Sequence, residues 1–294
     1  MSVFVYAAGL SDRGTARDGN DDHFCIGPVA EQTGAVVLEI DTAGSWFREY
    51  GLLVAVADGI GGYAGGATAS RLVLETLTRR YYGERRAGAT AAALAAGISG
   101  YLAEANAALG DFCRSLSEVA GSGGPAAADG PDYADAGTTI AGVAMLAPDV
   151  LTVFHVGDSR VLRASAGYVT PLTVDHTPAA AAMARAGLGE REAAVRPDAG
   201  MLTRSFGLRS DATIEVGYSK DWSRDDSFLL CTDGLHGLGR GLSHDRLREA
   251  LARGGRANEV VARLVAEAVA ADGSDNATAV FVSFGDTDAS GGAA

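Results

Sequence analysis

Leu52-Leu53-Val54-Ala55-Val56-Ala57 runs directly into Asp58-Gly59, and Phe228-Leu229-Leu230-Cys231-Thr232 runs into Asp233-Gly234. A third run, Val150-Leu151-Thr152-Val153-Phe154-His155-Val156, stops at Gly157-Asp158. Short apolar stretches rich in Val, Leu and Phe and bounded by Gly read as buried strands. An aspartate at the last residue of such a strand sits at the rim of the core on a rigid support. The glycine beside it lets the backbone turn sharply and turn a carbonyl toward a ligand. A single Asp-Gly is an ordinary turn. Three such ends, with Asp275-Asn276 ahead of another apolar stretch, point to carboxylates converging on a hard cation.

Outward from these ends, the pattern predicts further strands over Val3 to Ala8, His23 to Gly27, Ala35 to Ile40, Thr138 to Leu146 and Arg160 to Ala164. Tyr168 to Leu172 follows across a hairpin turn at Ser165-Ala166-Gly167, and Ile214 to Tyr218 and Thr278 to Phe284 complete the set. A helix opens at Gly65-Gly66 and runs through Tyr82. In a second, Leu94, Ile98, Leu102, Ala105, Leu109, Phe112 and Leu116 step by three or four residues. Two more cover His244 to Arg253 and Ala257 to Ala271. Pro178 to Val195 is helical but weakly patterned, as in a flap projecting from the core. Residues 121–136 read as a flexible loop with nothing to bury, and Gly285 to Ala294 as a polar tail, disordered over 286–294. Consecutive strands broken by paired helices favour an α+β chain with stacked antiparallel sheets. Residues 1–285 are expected to form one domain.

The 294 residues are 47% apolar, enough for a substantial core. A formal charge of −13 argues against a nucleic-acid binder, which leans on clustered Lys and Arg. Cys25, Cys113 and Cys231 lack any CxxC spacing, so reduced buried thiols are expected instead of a disulfide framework or zinc knuckle. No signal peptide is visible. The uncharged stretch Ala87 to Ala103 is dominated by Ala, Gly, Thr and Ser, with its bulky apolar residues on one face, so no membrane insertion is expected. A soluble, cytoplasmic monomer is the expectation.

Asp21, Asp22, Asp58, Asp158, Asp233 and Asp275 each sit beside a strand end. Two bare carboxylates about 4 Å apart repel by roughly 4 kcal/mol at an effective dielectric near 20. A cluster of them protonates or splays apart unless cations neutralise it. All-oxygen ligation favours Mg²⁺ or Mn²⁺ over zinc.

The order of motifs resembles the protein phosphatase 2C family (PP2C, also called PPM) of metal-dependent Ser/Thr phosphatases. The resemblance begins at Ser11-Asp12-Arg13-Gly14 with Arg17-Asp18-Gly19-Asn20-Asp21-Asp22 and continues through Val56-Ala57-Asp58-Gly59-Ile60-Gly61-Gly62. Gly137-Thr138-Thr139, Val156-Gly157-Asp158-Ser159-Arg160 and Leu172-Thr173-Val174-Asp175-His176 follow in order. Leu202-Thr203-Arg204-Ser205-Phe206-Gly207, Leu230-Cys231-Thr232-Asp233-Gly234-Leu235 and Ser274-Asp275-Asn276-Ala277-Thr278 complete it.

The resemblance implies a four-layer α-β-β-α sandwich with two core Mn²⁺ or Mg²⁺ ions at one end and a small flap over residues 177–200. By position, Asp58 would bridge both metals, the Gly59 carbonyl would bind one, and Asp233 and Asp275 would hold the other. Asp21 and Asp22 match an acidic pair completing the site directly or through water. Asp158, with Asp233, matches a third, weaker ion site of bacterial members. Arg17 matches the phosphate-binding arginine, a role suited to a planar, permanently charged guanidinium. The implied activity is hydrolysis of phosphoserine and phosphothreonine in proteins by a metal-bridging water, opposing a cognate Ser/Thr kinase.

Three positions depart from the family pattern. Asp21 stands where a longer Glu or Gln is frequent, Ile60 where animal relatives carry a His proposed as general acid, and Arg196-Pro197 where His-Pro is usual. His155, His176 and His236 invite a metal reading, but His155 lies within a strand and reads as a hydrogen-bonded near-core residue. Rival functions are a non-catalytic phosphoprotein-binding scaffold and an enzyme acting on small phosphoesters. The intact Asp58, Asp233, Asp275 and Arg17 set argues against the scaffold.

Overall fold

Side chains alternate faces along a strand, and both faces of the Leu52–Ala57 run are covered. Leu52, Val54 and Val56 belong to the core between two sheets, whereas Leu53, Ala55 and Ala57 pack with helical residues. That double burial is why the run is apolar throughout. Phe228–Cys231 repeats the logic from the opposing sheet. Phe228 and Leu230 enter the inter-sheet core, while Leu229 and Cys231 face an outer helical layer. The two strands that carry Asp58 and Asp233 therefore lie in different sheets.

The computed structural model describes residues 3–61, 65–122, 136–146, 150–207, 214–219 and 223–286. One six-stranded sheet has the order β11 (Tyr168–Pro171), β10 (Arg160–Ser165), β14 (Ser227–Cys231), β16 (Ala277–Asp286), β1 (Val3–Asp12), β4 (Gly34–Asp41). The other has the order β13 (Glu215–Ser219), β9 (Val150–Val156), β8 (Ile140–Leu146), β5 (Leu52–Ala57), β2 (His23–Ile26), β3 (Val29–Glu31). Neighbouring strands are antiparallel in both. Helices α2 (Gly65–Tyr82) and α3 (Ala91–Ser122) cover the second sheet through Val73, Leu77, Ile98 and Leu102. Helices α7 (His244–Ala252) and α8 (Ala257–Ala271) cover the first through Leu247, Val261 and Leu264. The result is the expected four-layer α-β-β-α sandwich. Among the described residues, no helix is long and apolar enough to cross a membrane, and all three cysteines are buried with no disulfide between them.

Several local expectations need correction. The predicted Thr138–Leu146 strand divides. Gly137–Thr138 (β7) joins Gly59–Ile60 (β6) and Phe206–Gly207 (β12) in a separate three-stranded sheet. The division falls at Thr139, whose N–H donates to the Asp58 carbonyl at 2.9 Å and whose hydroxyl accepts from the Asp58 N–H at 3.0 Å. The segment Pro178 to Val195 is two helices, α4 (Pro178–Ala186) and α5 (Glu190–Ala194). Thr177 caps the first, and Gly187 ends it in the left-handed region at φ 64°. Short α1 (Ser45–Tyr50) and strand β3 escaped the periodicity, being too brief to show one. Helix α3 runs to Ser122, two residues into the expected loop, and Ala136 at its far end is buried. Residues 123–135 lie outside the described set. Strand β16 continues through Gly285 and Asp286, held by pairing with Phe4 and Val3, so the expected tail shortens. Residues 287–294 lie outside the described set.

Candidate metal centre

Because Asp58 leaves β5 and Asp233 follows β14, their carboxylates emerge from the two sheets at the same end. Asp22 precedes β2, Asp158 follows β9 and Asp275 precedes β16, so five strands of the two sheets deliver an acid to this rim. All four of these other carboxylates lie close enough to Asp58 to act on it. Burial, then Asp22, Asp233, Asp158 and Asp275, push Asp58 well above the usual carboxylate range. Asp22 is pushed up to about 7, first by burial, against the pull of its hydroxyl partners. Asp158 is likewise pushed to about 7 by burial and by Asp233 and Asp175. Burial also raises Asp233 and Asp21.

Asp22 is 1% exposed and is fixed by two hydroxyls: Thr278 donates to its Oδ2 at 2.6 Å and Thr232 at 2.8 Å. Its other oxygen, Oδ1, is buried without a hydrogen-bond partner, and so is Oδ1 of Asp233. A buried carboxylate oxygen left without a donor is costly. Two of them inside one cluster of like charges are acceptors waiting for cations. The donor set is all oxygen, with neither Cys nor His, which suits Mg²⁺ or Mn²⁺. The residues present therefore fit hard divalent cations.

Close backbone approach builds the floor. A Cβ on Gly59 would stand 2.3 Å from the Gly66 carbonyl oxygen and 2.7 Å from that of Asp21, so only glycine fits there. Ser70 in α2 donates to the Asp21 carbonyl at 2.6 Å, tying the acidic pair to the helix start. Asp21 itself is half-buried beside Gly66 and feels both Arg17 and Asp275.

Arg17 reaches the centre from the loop between β1 and β2. Its Nη2 donates to Asp275 Oδ2 at 2.7 Å while about half of the side chain stays exposed. The Asp275 bond holds its charge in place and raises its pKa further. Asn276, to which the sequence assigns no role, anchors this loop. Its Nδ2 donates to the Arg13 and Gly19 carbonyls at 2.8 and 2.9 Å, and its Oδ1 accepts from the Asp21 N–H at 2.8 Å.

Among the other residues at the site, Arg240 carries no sequence signal, whereas Arg160 and Asp175 stand in motifs that give them no role. Arg240 donates from Nη1 to Asp233 Oδ2 at 3.0 Å and to Asp275 Oδ2 at 2.8 Å. Arg160 grips Asp175 with two bonds of 2.9 and 2.6 Å and donates to the His236 carbonyl at 3.1 Å, fastening the root of the flap to α6 (Asp233–His236). Between flap and acids lies a cleft of about 420 Å³, lined by Asp158, Asp233, Arg240, Val195 and Gly200 among others. The structure thus brings together Arg17, Asp21, Asp22, Asp58, Gly59, Asp158, Asp233 and Asp275. Ile60 lies beside Asp58 and offers no proton. Arg196 pairs with Asp198 within the flap.

The chain is similar in sequence and fold to known phosphatases. The family described as protein phosphatase 2C matches residues 39–275. The serine/threonine protein phosphatase PstP of Mycobacterium tuberculosis is 28% identical over 291 residues, covering 97% of this chain but 46% of that relative. The chain thus spans less than half the length of this relative. The serine/threonine phosphatase stp of Listeria innocua is 23% identical over 278 residues and is covered to 95%, as is this chain. A crystal structure of the M. tuberculosis phosphatase superposes with a TM-score of 0.72 at 26% identity, covering 96% of this chain and 98% of that one. The catalytic domain of PstP in complex with two manganese ions gives 0.70 at 25% identity, covering 97% and 100%. With the family match spanning most of the sequence and the same fold built around its acidic rim, the chain belongs to the protein phosphatase 2C family.

Proposed function

We propose that this chain is a Mn²⁺- or Mg²⁺-dependent protein serine/threonine phosphatase. The observation that carries the reading is the pair of partnerless buried oxygens, Asp22 Oδ1 and Asp233 Oδ1, inside a cluster of mutually repelling aspartates beside Arg17. Asp58, Asp233 and Asp275 would hold the core ions with the Gly59 carbonyl, and Asp21 and Asp22 would complete the shell directly or through water. Asp158 with Asp233 would hold a weaker third ion. Divalent cations there supply charge neutralisation and an acidified water, both of which phosphate monoester hydrolysis demands. The manganese ions of the related catalytic domain support this choice of metal.

The chain's own residues do the rest. Arg17 is anchored at one end by Asp275 and exposed at the other, so its guanidinium can turn free N–H groups toward the phosphate oxygens of a substrate. Thr139 fixes Asp58 through its backbone, and Thr232 and Thr278 orient Asp22, so the acids are held before any ion arrives. Residues 1–285 would act as one phosphatase unit, with 177–200 as the flap beside the cleft. Phosphoserine and phosphothreonine proteins, a cognate Ser/Thr kinase, a monomeric state and a cytoplasmic location complete the reading.

Hydrolysis of a phosphothreonine peptide should require added Mn²⁺ or Mg²⁺ and stop in EDTA. Metal-independent turnover would overturn the mechanism, and turnover confined to small phosphoesters would overturn the protein-substrate assignment.

A further inference from the structure

Arg240 opens β15 (Arg240–Gly241), in a tight hairpin after α6 where Gly237 bridges to Arg240 and His236 to Gly241. Gly239 and Gly241 flank it at φ 76° and 60°, a backbone path that aims one long side chain back across the acidic rim. Its Nη1 touches Oδ2 of both Asp233 and Asp275, carboxylates that come from strands β14 and β16. Arg17 contacts the same Asp275 oxygen at 2.7 Å. The two acids read as sharing a core ion are thus the two bridged by a single guanidinium nitrogen.

We propose that Arg240 is a built-in counter-cation that competes with the divalent ion for Asp233 and Asp275 and so sets the affinity of the centre. This rests on the metal reading above. An ion drawing on Asp233 Oδ2 or Asp275 Oδ2 meets Arg240 Nη1 on the same oxygens, so the two cations compete for their charge. The side chain can leave without unfolding anything, because it is 43% exposed and lines the open cleft. In the metal-free chain its charge offsets part of the burial and of the Asp275 repulsion that raise Asp233. Metal binding is therefore an exchange of cations and not a filling of bare carboxylates.

Calorimetric titration of Mn²⁺ into metal-free protein tests the exchange. Arg240→Gln should bind Mn²⁺ about tenfold more tightly than the wild type (~1.4 kcal/mol), and should melt lower without metal yet like the wild type when loaded. Equal or weaker Mn²⁺ affinity in Arg240→Gln would overturn the proposal. A wild-type chain that binds no Mn²⁺ would overturn the metal reading instead, which separates the two failures. Nitrogen-detected NMR of the wild type needs no variant. The Arg240 guanidinium signals should shift and sharpen as diamagnetic Mg²⁺ saturates the centre, and signals unmoved at saturation would overturn the exchange.

Discussion

Two polar clusters in this chain are rich in metal-ligand residue types, and they differ in whether their acceptors are already filled. His155, His176 and Glu215 bring ligand atoms within 4.8 Å of one another. The rings of His155 and His176 stack with centroids 4.5 Å apart. Yet His176 Nδ1 accepts from the Gly157 N–H at 3.1 Å, which places the ring proton on Nε2, facing Glu215 at 3.2 Å. His155 Nε2 donates to the Val174 carbonyl at 2.9 Å. Arg204 donates to Glu215 at 2.6 Å and already supplies a positive charge. Burial and then His155 lower His176, so it is neutral, and Arg204 and His176 hold Glu215 down against the effect of burial. Every group has a partner of the right sign. The aspartate centre has the reverse pattern, with burial and like charges raising Asp22, Asp58, Asp158 and Asp233 and two oxygens orphaned. Ligand type alone marks both clusters, and unmet acceptors distinguish them.

The comparison breaks most sharply at Asp233. Asp233→Asn should lower phosphopeptide hydrolysis by at least about 100-fold, since a ligand is lost where even its supporting partners matter 10–100-fold. An unaffected rate would remove Asp233 from the centre. Arg17→Ala should come next, with kcat/KM down about 10–100-fold for the loss of charged hydrogen bonds to phosphate. KM for the peptide should rise with it, and an unchanged KM would argue against the phosphate role.

The pH dependence of stability sharpens the contrast more gently. In the metal-free folded chain Asp58, and in part Asp22 and Asp158, keep protons that the unfolded chain has released by pH 7. The folded state then binds more protons, so stability falls as pH rises through these raised values. The buried His23 and His236, lowered to about 4, are neutral in both states above pH 7 and contribute nothing there. Buried Cys25 and Cys231 act only as the ordinary thiol value near 8.5 is approached. Melting in EDTA should therefore fall from pH 7 to 8.5, and saturating Mg²⁺ should flatten the decline. A metal-free melting point that rises across this window would contradict the buried-acid description.

The sandwich was legible because β5 and β14 are buried on both faces and read as uninterrupted apolar runs ending in Asp-Gly. Helices α2 and α8 were legible to the residue, since their apolar steps extend over several turns. The division at Thr139 was not, because it depends on a clip to Asp58, eighty-odd residues earlier in the chain. The acids themselves were readable from strand ends and motif order. The roles of Thr232 and Thr278 emerge only from the register that sets β14 against β16, and that of Asn276 from the way the loop after β1 folds onto it. Arg240 lies in a glycine-rich hairpin with no periodicity, and only the folded backbone shows where it reaches. The histidine cluster illustrates the opposite limit: His155 read as a hydrogen-bonded near-core residue, and its partner at Val174 agrees.

Calorimetric titration of Mn²⁺ into metal-free wild type, Asp58→Asn and Glu215→Gln places the two clusters side by side. Asp58→Asn should fold, because it removes a carboxylate that burial and four neighbours disfavour. The wild type should take up two ions per chain, Glu215→Gln should match it, and Asp58→Asn should lose the tight binding. Wild-type binding retained in Asp58→Asn, or abolished in Glu215→Gln, would contradict the assignment of the metal to the aspartate centre.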